Sequence, residues 1–117
     1  PLLGPLPADR RAAALATSDV LAMGSSYESF GLPMVEAMRT STIVWAPASA
    51  LVKELCRDSC VTYREGDSQD AAKKLQAALP HAGSLIASGR RRSTHFTWER
   101  CVDQTLAALV EAAGGGQ

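Results

Sequence analysis

The sequence predicts an α/β unit of three layers built on a small parallel sheet. Short apolar runs bounded by turn residues alternate with longer segments of helical character, the pattern of strand, crossover, strand. Right-handed crossovers set such strands parallel. A third observation fixes the centre of the unit: residues 25–37, SSYESFGLPMVEA, place two acidic residues, a glycine and a proline between an apolar run and a helix. A purely structural strand-to-helix connection has little use for that combination.

Taken in order, residues 1–7 hold three of the six prolines and one glycine, and they read as an irregular start. Asp9 is placed to cap an alanine-rich helix ending near Ala16. Residues 19–23, DVLAM, form a buried strand broken by Gly24. A helix over 32–39 follows, with Pro33 suited to its first turn and Val35 and Met38 facing the core. Residues 42–46, TIVWA, read as the second strand, 49–55 as a short helix and 60–63, CVTY, as the third strand.

After the turn at 64–67, Asp67 or Ser68 caps a helix carrying Ala71, Ala72, Leu75, Ala78 and Leu79, which Pro80 stops. Residues 81–94 continue as helix, and Arg90, Arg91 and Arg92 within it read as a solvated face. Phe96 and Trp98 are expected to pack an interhelical corner, while Thr97 caps a last helix with an apolar stripe of Val102, Leu106, Leu109 and Val110. Residues 112–117 read as a frayed tail.

A chain of 117 residues, 46% hydrophobic and 21% charged, suits one globular domain. Its formal net charge of zero argues against nucleic acid or an anionic membrane as a partner through bulk electrostatics. No apolar run approaches the ~20 residues that span a bilayer. Three cysteines, Cys56, Cys60 and Cys101, are an odd number with no secretion signal before them. Buried or idle thiols in a reducing compartment are expected, and no metal, since neither His81 nor His95 completes a ligand set with Cys56 and Cys60.

The chemistry lies at the start of the 32–39 helix. Gly31 permits a left-handed turn and lets a ligand approach the backbone, and the helix start presents free N–H groups at a positive end. Such an end binds anions, phosphate foremost. Glu36 lies about one turn inside the helix and Glu28 before the turn, so two carboxylates flank the backbone of Phe30, Gly31 and Leu32. A phosphate and hydroxyls together make a sugar-phosphate reader. Paired carboxylates also invite a glycosidase reading, but phosphate-ready N–H groups have no job in simple hydrolysis.

ESFGLPMVE resembles the E-x7-E motif of the retaining GT-B glycosyltransferases, the "glycosyl transferases group 1" family. The resemblance extends over roughly residues 4–109: LATSDV at 15–20 is similar to the family's segment before the strand, Ser25 or Ser26 to its serine after it, Glu36-Ala-Met38 to its EAM, and FTWE at 96–99 to its late FSWE. It implies a Rossmann-like unit covering the later part, residues 1–117, of a nucleotide-sugar (donor) domain, with C-terminal helices at 81–113. The N-terminal acceptor domain and the earlier donor strands have no counterpart, so the chain is either a piece of a longer transferase or a reduced relative.

The resemblance further implies a UDP- or GDP-sugar as donor and a sugar, lipid or protein as acceptor. Location is expected in the cytoplasm, with the cytosolic face of a membrane as a variant. Glu36 would hold the ribose through its two hydroxyls. Glu28 would contact the transferred sugar as the catalytic carboxylate, and Phe30, Gly31 and Leu32 would bind sugar and phosphate through backbone N–H groups. Ser25, with Ser26 and Tyr27, would line the strand end, where open α/β sheets bind ligands. No nucleophile is needed if the leaving diphosphate assists the incoming hydroxyl. Two departures, Ala50-Leu51 in place of a glycine pair and Ser41 in place of a glycine, leave a noncatalytic, degenerate domain as the alternative. A free-standing receiver-like phosphate-binding domain stands third.

Overall fold

The computed structural model describes residues 3–25 and 27–114. The order of elements is α1 (Ala8–Ala16), β1 (Val20–Ala22), α2 (Leu32–Arg39), β2 (Ile43–Pro47), α3 (Ala50–Cys56), β3 (Cys60–Tyr63), α4 (Ser68–Ala78), a 3-10 turn (Leu79–His81), α5 (Ala82–Ser93) and α6 (Trp98–Gly114). The three strands form one parallel sheet in the order β1-β2-β3, so the β-branched run Ile43–Pro47 is central. Register places Val20 beside Ile43 and Val44 beside Cys60. This is the α/β unit with a small parallel sheet that the alternation predicts.

Alternation along β2 divides the interior. Val44 and Ala46 join the main core with Leu15 of α1, Met34, Val35, Ala37 and Met38 of α2, and Val52, Leu55 and Cys56 of α3. Ile43, Val61 and Ala71 are buried outside that cluster. Helix α5 approaches α2 so closely that a Cβ on Gly89 would come within 3.3 Å of the Met38 side chain. Thr42, 3% exposed, donates its hydroxyl to the Leu15 carbonyl at 2.6 Å and ties the end of α1 to the start of β2.

Caps mostly follow the sequence. Asp67 accepts from the Asp70 N–H and Thr97 from the Arg100 N–H, while Ser49, read as the first residue of its helix, is instead its N-cap and accepts from the Val52 N–H. Asp9 does not cap α1: Pro7 takes the N-cap position, and Asp9 lies in the first turn, where its charge suits the helix dipole. Pro80 ends the α-helical ladder without ending the helical course, because a 3-10 turn tolerates it near its own start and leads into α5.

The largest corrections concern the C-terminal third. Trp98 does not fill the interhelical corner; it is 78% exposed as the first residue of α6, all of whose described residues are exposed. The stripe of Val102, Leu106, Leu109 and Val110 lies open along the same helix. Phe96 fills the corner alone, half-buried against the core. Arg92 leaves the solvated face expected of the arginine run: it donates to the carbonyls of Leu55 at 2.8 Å and Glu54 at 2.9 Å, and its guanidinium lies 4.8 Å from the Phe96 ring centre. Arg90 and Arg91 are exposed as expected. Helix α6 runs through the start of the expected frayed tail to Gly114, and residues 115–117 lie outside the described residues.

Candidate functional site

Strand β1 stops at Ala22, and the chain leaves the sheet through Met23, Gly24 and Ser25. Two bonds hold this exit beside its neighbours: the Met23 N–H donates to the Trp45 carbonyl and the Tyr63 hydroxyl donates to the Met23 carbonyl, each at 2.8 Å. Gly31 then turns the chain in the left-handed region, with φ of 79°, and α2 begins at the next residue. A side chain there would strain the backbone and meet atoms at once, since a Cβ on Gly31 would lie 2.2 Å from Met34 Cε and 3.1 Å from Leu55 Cδ2.

Helix α3 and helix α4 are capped by side chains at their starts, but α2 is not. The Met34 N–H reaches the Gly31 carbonyl at 2.9 Å, and Pro33 has no N–H to satisfy. The remaining N–H groups of the first turn are left for solvent or ligand. The helix start that follows Gly31 is thus uncapped by any side chain.

A cavity of about 250 Å³ opens at the strand ends. Met23, Ser25, Tyr27 and Glu28 line it from the β1 side, Ala48, Ser49, Ala50 and Leu51 from the start of α3, and Glu65 from the turn after β3. Ser25 and Glu28 therefore come together in it. Glu28 also lies against the turn, its Cγ 3.6 Å from where a Cβ on Gly31 would be.

Phe30, Gly31, Leu32 and Glu36 are outside the lining of that cavity. Phe30 and Leu32 are about half exposed, at 48% and 47%, and the Phe30 ring meets Phe96 edge-on with centroids 6.3 Å apart. Glu36 is on the α1 side of α2, where its Oε1 accepts from Arg11 Nη2 at 3.2 Å. The structure thus puts Glu28 in the cavity and against the Gly31 turn, whereas Glu36 pairs with α1 outside the cavity lining and is not brought together with Glu28 there. Ser26 lies outside the described residues.

Three participants escaped the sequence. Arg11 sits in an alanine-rich helix 25 residues before its partner, and Arg92 reaches across 37 residues to the end of α3. Glu65 reads as an ordinary turn residue until the turn is seen beside the strand ends. Among the described residues no group of three or more His, Cys, Asp or Glu side chains is arranged to hold a metal. All three cysteines are free. The Cys60 thiol is pushed well above the usual thiol range by its hydrogen bond with Cys56 and by burial. Among the described residues no helix is long and apolar enough to cross a membrane.

Comparison with known proteins agrees with this architecture. Residues 2–85 match the family model described as "Glycosyl transferases group 1". The chain is 38% identical over 98 residues to the D-inositol 3-phosphate glycosyltransferase of Geodermatophilus obscurus, covering 82% of this chain and 22% of that one. It is 35% identical over 108 residues to the MMP alpha-(1->4)-mannosyltransferase of Mycolicibacterium hassiacum, covering 86% and 26%. Among solved structures, sucrose-phosphate synthase from Thermosynechococcus elongatus superposes with a TM-score of 0.78 at 25% identity, over 95% of this chain and 30% of that one. The chain spans about a quarter or less of the length of the curated relatives it matches. With the sheet, the uncapped glycine turn and a family match over most of its residues, this chain belongs to the glycosyl transferases group 1 family.

Proposed function

We propose that the chain is the donor-binding part of a retaining glycosyltransferase, which moves a sugar from a UDP- or GDP-sugar to an acceptor hydroxyl held by an N-terminal domain. The observation that supports this is the α2 start: an uncapped helix end behind a left-handed Gly31, with Glu28 against the turn and Glu36 about one turn into the same helix. The diphosphate takes the free N–H groups at Phe30, Gly31 and Leu32, Glu36 takes the ribose diol, and Glu28 with Ser25 faces the sugar. The leaving diphosphate accepts the proton of the attacking hydroxyl, so the site needs neither a protein nucleophile nor a metal. A cavity of about 250 Å³ falls just below the range of complete small-molecule sites, roughly 300–1,000 Å³, which suits one wall of a cleft. The reaction is placed in the cytoplasm, where nucleotide sugars are met.

One observation favours a second reading. Ala50 and Leu51 both line the cavity, and their side chains take space that a glycine pair would leave open. On that reading the domain is noncatalytic and serves assembly or ligand binding.

Calorimetric titration of the full-length protein with UDP and with GDP decides between the two. On the enzyme reading, one nucleotide binds, Glu36→Gln weakens it roughly ten- to a hundred-fold by disrupting two charge-assisted bonds, and Glu28→Gln barely changes it. Turnover with the matching sugar donor should fall in Glu28→Gln. The reverse order would exchange the two roles, and no binding of either nucleotide would support the noncatalytic reading.

A further inference from the structure

The Arg11–Glu36 pair is one of two ion pairs among the described residues, and it joins α1 to the carboxylate assigned to the ribose. Arg11 reaches Glu36 through one amino group, Nη2, and one oxygen, Oε1. Among the described residues no protein donor meets Oε2, and no other acceptor is met by the guanidinium. We propose that Arg11 is a positioning residue for donor binding, which anchors Glu36 by Oε1 and presents the rest of the carboxylate to the ribose. This rests on the ribose role of Glu36.

The physical case is one of preorganisation. A glutamate side chain samples several rotamers, and a ligand that needs one of them bears the ordering entropy on binding. A guanidinium fixed on a neighbouring helix removes part of that cost before the ligand arrives. Its planar fork fits a carboxylate better than an ammonium does. The residues around it sharpen the case. Helix α1 is otherwise alanine-rich, and the side chains of Arg11 and Glu36 are 48% and 30% exposed, so the pair is reachable and does not hold the core together. Pairs this exposed contribute little to fold stability.

The test is calorimetry on the full-length protein and its Arg11→Met, Arg11→Lys, Glu36→Gln and Arg11→Met/Glu36→Gln variants. The probes are the preferred nucleoside diphosphate and inorganic pyrophosphate, which lacks a ribose. Arg11→Met should weaken the nucleotide about three- to fivefold, as expected for a partly exposed pair, and Arg11→Lys should recover part of that loss. Pyrophosphate affinity should stay within about twofold, and in the Glu36→Gln background the Arg11→Met change should nearly vanish, the signature of coupled residues. Unfolding midpoints should coincide for wild type and Arg11→Met. An equal loss for pyrophosphate would make Arg11 a general cation attractor and overturn the inference, as would losses that multiply in the double variant. If Glu36→Gln weakens the nucleotide and Arg11→Met does not, the positioning role fails while the ribose role stands. If Glu36→Gln has no effect, the ribose role itself fails and the inference falls with it.

Discussion

Replacing Gly31 by alanine should destabilise the domain through two separable terms. The first is backbone strain: φ of 79° lies in the left-handed region, where a Cβ costs about 1–2 kcal/mol. The second is crowding, since the new Cβ would stand 2.2 Å from Met34 Cε and 3.1 Å from Leu55 Cδ2. Met34 is 1% exposed and Leu55 4%, but Met34 Cε is the end of a flexible side chain that borders the cavity, so the crowding falls in the lower part of the overpacking range, about 1–2 kcal/mol. The loss of unfolded-chain entropy returns about 0.4–1 kcal/mol. The net expectation is about 1–3.5 kcal/mol.

Gly66 supplies the internal control. It has a similar φ of 76°, yet a Cβ there would meet nothing within 4 Å. Gly66→Ala should therefore cost only the strain less the entropy gain, about 0–1.5 kcal/mol. Urea unfolding of the 117-residue chain, followed by far-ultraviolet circular dichroism, gives both values. Equal losses at the two glycines would refute the crowding argument, and with it the close seat of the Gly31 turn on Met34 and Leu55.

Other expectations are smaller or simpler to read. Ser41 also lies in the left-handed region, with φ of 69°, and its hydroxyl accepts from Arg90 Nη1 at 3.2 Å. Ser41→Gly should relieve about 1 kcal/mol of strain and lose a weak exposed bond, so the urea midpoint should rise slightly or hold; a clear fall would show that the bond outweighs the strain. Thr42→Val keeps the shape but removes the 2.6 Å donor to the Leu15 carbonyl, which retains the Ser18 N–H at 3.0 Å, for a loss of about 0.5–1.5 kcal/mol in the same assay. Thr97→Ala removes the cap of α6 and should lower helical signal with a cost of about 0.5–2 kcal/mol, unless α6 forms without it. The isolated chain, which has one wall of the proposed cleft, should transfer no sugar from UDP- or GDP-sugars, and robust turnover would refute the need for a second domain.

Much of the local design was legible because local chemistry determines it. Three strands and the helices between them follow from apolar runs and breakers, and α2 and β3 run from the residues the sequence names, Leu32 to Arg39 and Cys60 to Tyr63. Gly31 in the left-handed region and Asp67 as a cap are choices of single residues with few substitutes. What was not legible depends on distant parts of the chain. Arg92 looks like its neighbours Arg90 and Arg91 until the end of α3 offers it two carbonyls. Trp98 has the composition of a core residue and the surroundings of a surface one. The pairing of Glu36 with Arg11 is set by how α1 lies on α2, which no spacing within either helix encodes.

The Phe30–Phe96 contact gives the proposed donor turn a mechanical neighbour far along the chain. Arg92 holds Phe96 by its face, and Arg39 of α2 donates to the Phe96 carbonyl at 3.0 Å, so the corner after α5 is tied to α2 as well as to the turn. The turn before α2 and the corner before α6 should then open and close as one cooperative unit rather than as two independent loops. The Met34 amide, bonded to the Gly31 carbonyl, would exchange hydrogen at a rate that follows the Phe96 amide, bonded to the Ser93 carbonyl, and loosening the corner by Phe96→Ala would speed exchange at both. Order at the Gly31 turn is in this sense lent to it by an aromatic ring more than sixty residues downstream.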